Sequence, residues 1–371
     1  MSSQPMGGQT RDRAIQDRFS AGEPIMDAWT GRKIGLPDGA ALTREALKAY
    51  QLAALQKTLR HAKEKSAFYR EKLAEIDVKQ DIQSLSDLEK IPFTTQEELR
   101  ENGIRMVCVP QSEVSRIVTL DTSGSTGQSK RIYFTAEDQE LTADFFHYGM
   151  KNLVDETDVL LILLPCARPG SVGDILRQGL ERGGTKTIPY GAVPRDGGAK
   201  DAEVLELIRN ERVTSLVGGP VEIARLARGG AGCGETVRSV LLSTEYVSDE
   251  NRRAIEQHWD CKVFEHYGMT ESGLGGAVAC PVREGYHPRE ADLLFEVIQP
   301  ETGTVLPDGA WGELVFTTLT RRAMPFIRYR TGDVSRWMPE PCACGSKLKR
   351  LDKVQDRAAV KRRVLMGGQD A

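Results

Sequence analysis

The sequence predicts an α/β protein with helices over a mostly parallel sheet, followed by a β-rich lobe. Three observations carry this. Short apolar runs alternate with amphipathic segments between residues 159 and 265. After Tyr267 the helical spacing gives way to strand-like runs separated by Pro- and Gly-containing turns. The 371 residues, 40% hydrophobic, suffice for one large domain with sub-lobes or for two domains.

Taken in order, residues 1–40 read as a polar N-terminal arm. Residues 41–77 read as two helices, with Leu47, Leu52, Leu55, Leu59, Phe68 and Leu73 at helical spacing. Residues 85–100 give a short helix (LSDLEK), a turn at Pro92 and a second helix with Thr94 or Thr95 as its N-cap. Strands are predicted at 117–120 and 132–134, then a helix at 136–150. Strands at 159–164, 186–189, 215–217, 239–243 and 262–265 alternate with helices at 174–182, 202–210, 221–227 and 249–259. Strands at 293–298 and 312–318 belong to the lobe. The expected organisation is a large domain over 41–355, its β-rich lobe about 275–350, and a remnant at 356–371.

A net charge of −3 favours neither nucleic acid nor an anionic membrane as partner. No apolar run reaches the roughly 18 residues of a membrane span. The opening MSSQPMGGQTRDR has no apolar core of the kind a secretory signal carries. Seven scattered cysteines do not suggest a disulfide framework, so a cytoplasmic protein with reduced thiols is expected.

Residues 121–130 read DTSGSTGQSK, directly after a predicted strand. Backbone amides, hydroxyls and a lysine in that arrangement suit an anion. The Walker A pattern fails, because counting from Gly124 puts Ser129 and Arg131 where a glycine and a hydroxyl are required. Taken alone, the loop reads equally as a phosphate cradle or a surface turn.

TSGSTG followed by lysine resembles the phosphate loop of the adenylate-forming superfamily. HYGMTE (266–271) is similar to that family's adenine- and magnesium-binding motif, and RYRTGD (328–333) to its ribose-binding motif. The stretches SAFY (66–69), IPFTT (91–95), GELVFTT (312–318), MPFIRYR (324–330) and GYHPREADLLFEVI (285–298) resemble phenylacetate–coenzyme A ligases and coenzyme F390 synthetase-like proteins. The resemblance runs from about residue 45 to 360. It implies the large N-terminal domain of an adenylate-forming enzyme, with ATP or AMP, Mg2+ and coenzyme A as cofactors. It also implies a carboxylic acid as substrate, aryl by preference, and a homodimer.

The resemblance further implies roles. Ser123, Gly124, Ser125, Thr126 and Gly127 would close over the β- and γ-phosphates, with Lys130 adding positive charge. Tyr267 would stack on adenine, flanked by His266 and Gly268. Thr270 would hydrogen-bond the α-phosphate, Glu271 would bind magnesium and Asp333 would accept the ribose hydroxyls. Glu245, in STEY, stands where the family has another adenosine-contacting loop; it reads equally as a surface residue. Phe145, His147 and Tyr148, with Gly218, Gly219 and Pro220, would line the acid pocket. The competing reading has Phe145 and Tyr148 packing their helix against the sheet.

Cys280, His287, Cys342 and Cys344 offer three thiolates and an imidazole, the set of a closed structural zinc site. The C-x-C gap is shorter than usual, but some of the resembling ligases carry similar residues. Cys261 is a reserve ligand, and Cys108, Cys166 and Cys233 read as small buried hydrophobes.

One stretch departs from the family pattern. Its hinge resembles G-R-x-D-D-x-I-K-x-x-G and leads into a small mobile domain; here residues 354–371 read VQDRAAVKRRVLMGGQDA. Arg357 matches the arginine and is counted among the nucleotide-binding residues, but Asp356 replaces the glycine and Ala359 and Val360 replace the aspartates. The small domain and its lysine are expected to be absent. That leaves three expectations: a slow ligase, a half-enzyme complemented in trans, or a non-catalytic nucleotide- or acyl-adenylate-binding protein.

Overall fold

The structure, a computed structural model, describes residues 23–120, 129–230 and 232–355. Helix α1 (Ile25–Lys33) comes first, then α2 (Arg44–Lys65), α3 (Ala67–Lys72), α4 (Val78–Asp81) and α5 (Gln96–Asn102). Strands β1 (Arg116–Leu120) and β2 (Lys130–Phe134) pair antiparallel, and the glycine-rich stretch 121–128 between them lies outside the described residues. Ser123 to Gly127 fall there, as does Arg357 at the other end.

Helix α6 (Ala136–Met150) follows, started by Thr135 in a capping box with Asp138. Then the chain alternates: β3 (Val159–Leu163), α7 (Val172–Glu181), β4 (Lys186–Pro189), α8 (Ala199–Asn210), β5 (Ser215–Gly218), α9 (Pro220–Gly229), β6 (Ser239–Leu242), α10 (Asp249–Trp259) and β7 (Lys262–Tyr267). These strands form a sheet ordered β4-β3-β5-β6-β7, all parallel. Two short strands, β8 (Ala277–Val278) and β9 (His287–Pro288), extend it antiparallel. The lobe is a three-stranded antiparallel sheet of β10 (Leu293–Ile298), β11 (Gly312–Thr318) and β12 (Tyr329–Ser335). Buried strands such as VLLIL and SVLL carry apolar residues on both faces, as a helix-covered sheet requires.

The expected α/β fold and β-rich lobe are both present, with most boundaries within two or three residues of expectation. Thr95 supplies the α5 cap in a box with Glu98. Thr94 instead bridges backbone to backbone with β12, its N–H donating to the Arg328 carbonyl and its own carbonyl accepting from the Arg330 N–H.

The arm expected over 1–40 needs correction from residue 25 onward. Helix α1 is packed into the molecule: Trp29 is 1% exposed and its indole N–H donates to Asp144 at 2.7 Å. Lys33 pairs with Asp292 at 2.7 Å, and Asp27 accepts the Lys347 N–H at 2.6 Å. Burial pushes the Asp27 carboxyl up, with the Lys347 and Ser346 hydrogen bonds opposing it. Strand β12 was foreseen as a motif but not as a strand.

Among the described residues, no helix is long and apolar enough to cross a membrane.

Candidate functional site

Ligands in open parallel sheets bind beyond the carboxyl ends of the strands. The chain places six of the expected positions there. Gly218 ends β5 and Gly219 leads into α9, with Pro220 at its first turn. Glu245 follows β6, and His266 and Tyr267 end β7. Thr244, just before Glu245, has φ of 80°, a strained conformation for a β-branched residue. Glu245 accepts from Arg195 at 2.5 Å.

Past β7 the chain doubles back tightly. A Cβ at Gly268 would lie 2.2 Å from the Leu274 carbonyl oxygen, so only glycine fits. Thr270 lies in this turn, and its carbonyl accepts the Gly273 N–H at 3.0 Å. Glu271, 2% exposed, is the hub of the site. Its Oε1 accepts from Lys130 Nζ at 2.9 Å and from the Tyr329 hydroxyl at 2.9 Å. Its backbone carbonyl accepts from Arg321 at 2.7 Å, and the neighbouring Ser272 carbonyl from Arg289 at 2.5 Å. Lys130 also reaches Gln96 at 3.2 Å. The Tyr267 hydroxyl donates to Asp333 Oδ2 at 3.0 Å, and the Asp333 N–H donates to Thr331. Tyr267 also packs in the core, its ring 6.3 Å from Phe295. Residues from β2, the β7 turn and β12 therefore meet in one place.

His266 sits beside this hub. Ser243 contacts its Nδ1 at 3.0 Å, while Nε2 is sealed from solvent with no partner. Burial pushes its imidazole down to about 4, helped by the nearby Arg289 charge, so it is neutral at pH 7. Phe146 packs edge-on at 5.9 Å and Phe145 lies 6.3 Å away.

The other two expected pocket side chains are engaged elsewhere. His147 donates from Nδ1 to the Gly179 carbonyl on α7 at 2.9 Å. Tyr148 lies between Arg32 and Lys151, each 4.9 Å from its ring centre. Helical spacing turns these consecutive residues to different faces of α6. Sequence reasoning missed Phe146, Ser243, Tyr329 and Arg321. Tyr329 and Ser243 had a local signal, since they lie inside RYRTGD and STEY.

A second cluster is built from residues that follow the hub's own in two stretches of the chain, after Glu271 and after Asp333. The ligating atoms of Cys280, His287, Cys342 and Cys344 all fall within 4.8 Å of one another. Cys280 follows β8, His287 is on β9, and the C-x-C turn follows β12, closed by the Gly345 N–H to the Cys342 carbonyl. His287 Nδ1 donates to the Lys349 carbonyl at 3.1 Å, which leaves Nε2 facing Cys344 at 3.4 Å. Hydrogen bonds from Cys280 and Cys344 hold the Cys342 thiol well below the usual range. Three sulfurs and an oriented imidazole fit a tetrahedral zinc ion. Cys261 is not in the cluster; burial pushes its thiol up to about 12.

Residues 42–319 match the AMP-binding enzyme family. The chain is 32% identical to the phenylacetate–coenzyme A ligase of Pseudomonas putida, covering 85% of this chain and 71% of that one. It is 31% identical to the enzyme of the same name from Thermus thermophilus, over 86% and 72%, and 30% identical to that of Escherichia coli K12, over 85% and 72%. Among solved structures, 2-hydroxyisobutyryl-CoA ligase in complex with 2-HIB-AMP and CoA matches with a TM-score of 0.75. At 21% identity, over 87% of this chain and 74% of that one, it shows the shared fold. On the family match and on relatives of this identity and coverage, the chain belongs to the AMP-binding enzyme family and, within it, to the phenylacetate–coenzyme A ligase group.

Proposed function

We propose that the protein activates a carboxylic acid with ATP and passes the acyl group to coenzyme A, with residues 41–355 acting as the AMP-binding domain. The carrying observation is the meeting of Lys130, Glu271, Tyr267 and Asp333 beyond the carboxyl ends of the parallel strands.

In this reading the acid's carboxylate oxygen attacks the α-phosphorus of ATP. The bond from that phosphorus to the bridging oxygen breaks and pyrophosphate leaves. The thiolate of coenzyme A then attacks the acyl carbon, and AMP leaves. Both partners of the first step are anions, so the chain's task is to neutralise charge and hold alignment. Lys130 and the residues Ser123, Gly124, Ser125, Thr126 and Gly127 take the phosphates. Thr270 takes the α-phosphate, and Tyr267, His266, Gly268 and Glu245 border the adenosine. Asp333 accepts the ribose hydroxyls, exchanging its Tyr267 contact for them, and Arg357 joins the nucleotide site. Glu271 holds Mg2+, which when bound neutralises phosphate charge. Phe145 with Gly218, Gly219 and Pro220 borders the acid, and the apolar ring surface beside a neutral His266 supports an aryl substrate. Cys280, His287, Cys342 and Cys344 hold a structural zinc ion. The free cysteines support a cytoplasmic setting.

The test is acid-dependent pyrophosphate release from ATP, over a panel of aryl and alkyl acids, with and without coenzyme A. Release with aryl acids, increased by coenzyme A, is expected. Absence of release with every acid, beside measurable AMP binding, would sink the ligase reading.

A further inference from the structure

The buried carboxylate of Glu271 has an orientation problem. A carboxylate on a three-bond stem turns freely unless something pins it, and a metal ligand must present one oxygen reliably. Among the described residues, the two side-chain donors to Glu271 both reach Oε1: Lys130 and Tyr329, each at 2.9 Å. They differ in kind. Lys130 ends in a flexible stem and is 15% exposed, and it is the group that phosphates would draw away. Tyr329 is 0% exposed and cannot follow.

The surroundings of Tyr329 fix its ring. Phe326 packs edge-on at 5.0 Å and Phe316 lies at 5.5 Å. The backbone on either side is tied to Thr94 by the Arg328 and Arg330 hydrogen bonds. Arg328, the preceding residue, stands at φ 45° and is held there by an ion pair with Glu296 at 2.8 Å. An arginine in left-handed backbone persists only where its surroundings hold it.

We infer that Tyr329 is a positioning residue for magnesium: its hydroxyl keeps Oε1 of Glu271 occupied and so commits Oε2 to the metal, before and after Lys130 moves to the phosphates. The inference rests on the reading of Glu271 as the magnesium ligand. Lys130 is then an exchangeable counter-ion to Glu271, and Tyr329 its permanent partner.

The experiment is calorimetric ATP binding, without acid, at saturating Mg2+ and again in EDTA. The ratio of the two affinities measures what the metal contributes. Tyr329→Phe, which removes only the hydroxyl, is expected to lower that ratio about tenfold, as loss of a partner to a metal ligand does. Its affinity in EDTA should stay within twofold of wild type, which a general structural defect would not allow. Lys130→Met is expected to weaken ATP in both conditions and to keep the ratio. This second variant decides the matter even if Tyr329→Phe does not fold, because a ratio that collapses in Lys130→Met assigns the orientation to Lys130 and overturns the inference. A wild-type ratio in Tyr329→Phe overturns it too. Glu271→Gln separates the two levels: if it abolishes the Mg2+ gain while Tyr329→Phe does not, only the inference fails. If it leaves the gain intact, the magnesium reading of Glu271 fails with it.

Discussion

The cysteine cluster and the nucleotide hub solve the same problem in opposite ways. Both gather side chains from distant stretches: 280, 287, 342 and 344 in one, 130, 267, 271, 329 and 333 in the other. In the cluster, every ligating atom converges on one point and the imidazole is oriented from behind by the Lys349 carbonyl. In the hub, opposite groups face each other directly, Lys130 to Glu271 and Tyr267 to Asp333. The first arrangement suits a held ion and the second an exchange of contacts. A buried charge left alone is costly, so a site that must open has to carry its own temporary partners.

The largest expected effect tests the cluster. Cys280→Ser combined with Cys342→Ser removes two ligands and should lower Tm by about 10 °C, with zinc lost by elemental analysis. A protein that remains equally stable and never held zinc would break the comparison at its first half. Next comes Asp333→Ala. Losing hydrogen bonds to both ribose hydroxyls should weaken AMP binding about 100-fold while Tm falls by no more than about 3 °C. Equal damage to Tm and to AMP binding would mean that the two regions do not differ in kind.

A third prediction concerns pH. His266 is held at about 4 in the folded protein against an ordinary 6.5, because burial disfavours its charged form. Its contribution is complete above pH 6.5 and is lost as pH falls toward 4, because the unfolded chain binds the proton first. At pH 5 this amounts to about 2 kcal/mol. In denaturant titrations His266→Gln should flatten the pH 5 to 7 stability slope by that amount; an unchanged slope would remove His266 from the buried edge of the hub. The smallest effect is expected for Tyr148→Phe. With its ring between two surface cations, it should alter stability by less than about 0.5 kcal/mol and leave acid preference unchanged. A shifted acid preference would return Tyr148 to the pocket.

These contrasts also show what the sequence could reveal. The strand and helix alternation was legible because parallel strands buried on both faces are uniformly apolar and helices are not. The cluster was legible because cysteine and histidine have few roles, so type alone narrows the reading. The contacts of His147 and Tyr148 were not legible because one helical step turns a side chain by about 100°, and the facing of α6 is set by its packing on α7. Tyr329 was passed over because a tyrosine inside a charged motif declares no partner; its value comes from Glu271, 58 residues away. Helix α1 was hidden for the same reason. Its nine residues mix Trp29 and Met26 with charges, and those charges answer to Asp292, the Ser346 hydroxyl and the Lys347 N–H.

That last feature bears on how the chain acquires its shape. Helix α1 is made before the other described elements, yet Lys33 meets a partner 259 residues later and the Lys347 N–H reaches Asp27 across 320. Contacts so far apart close late, because the loop between them must be ordered first. During synthesis Trp29 can pack on α6 once residues 144–148 have emerged, whereas Lys33 and Asp27 wait for partners at 292 and 347. Through that interval α1 is seated on one side only, and its Asp27 and Lys33 charges stay in water until the far end of the chain arrives to take them.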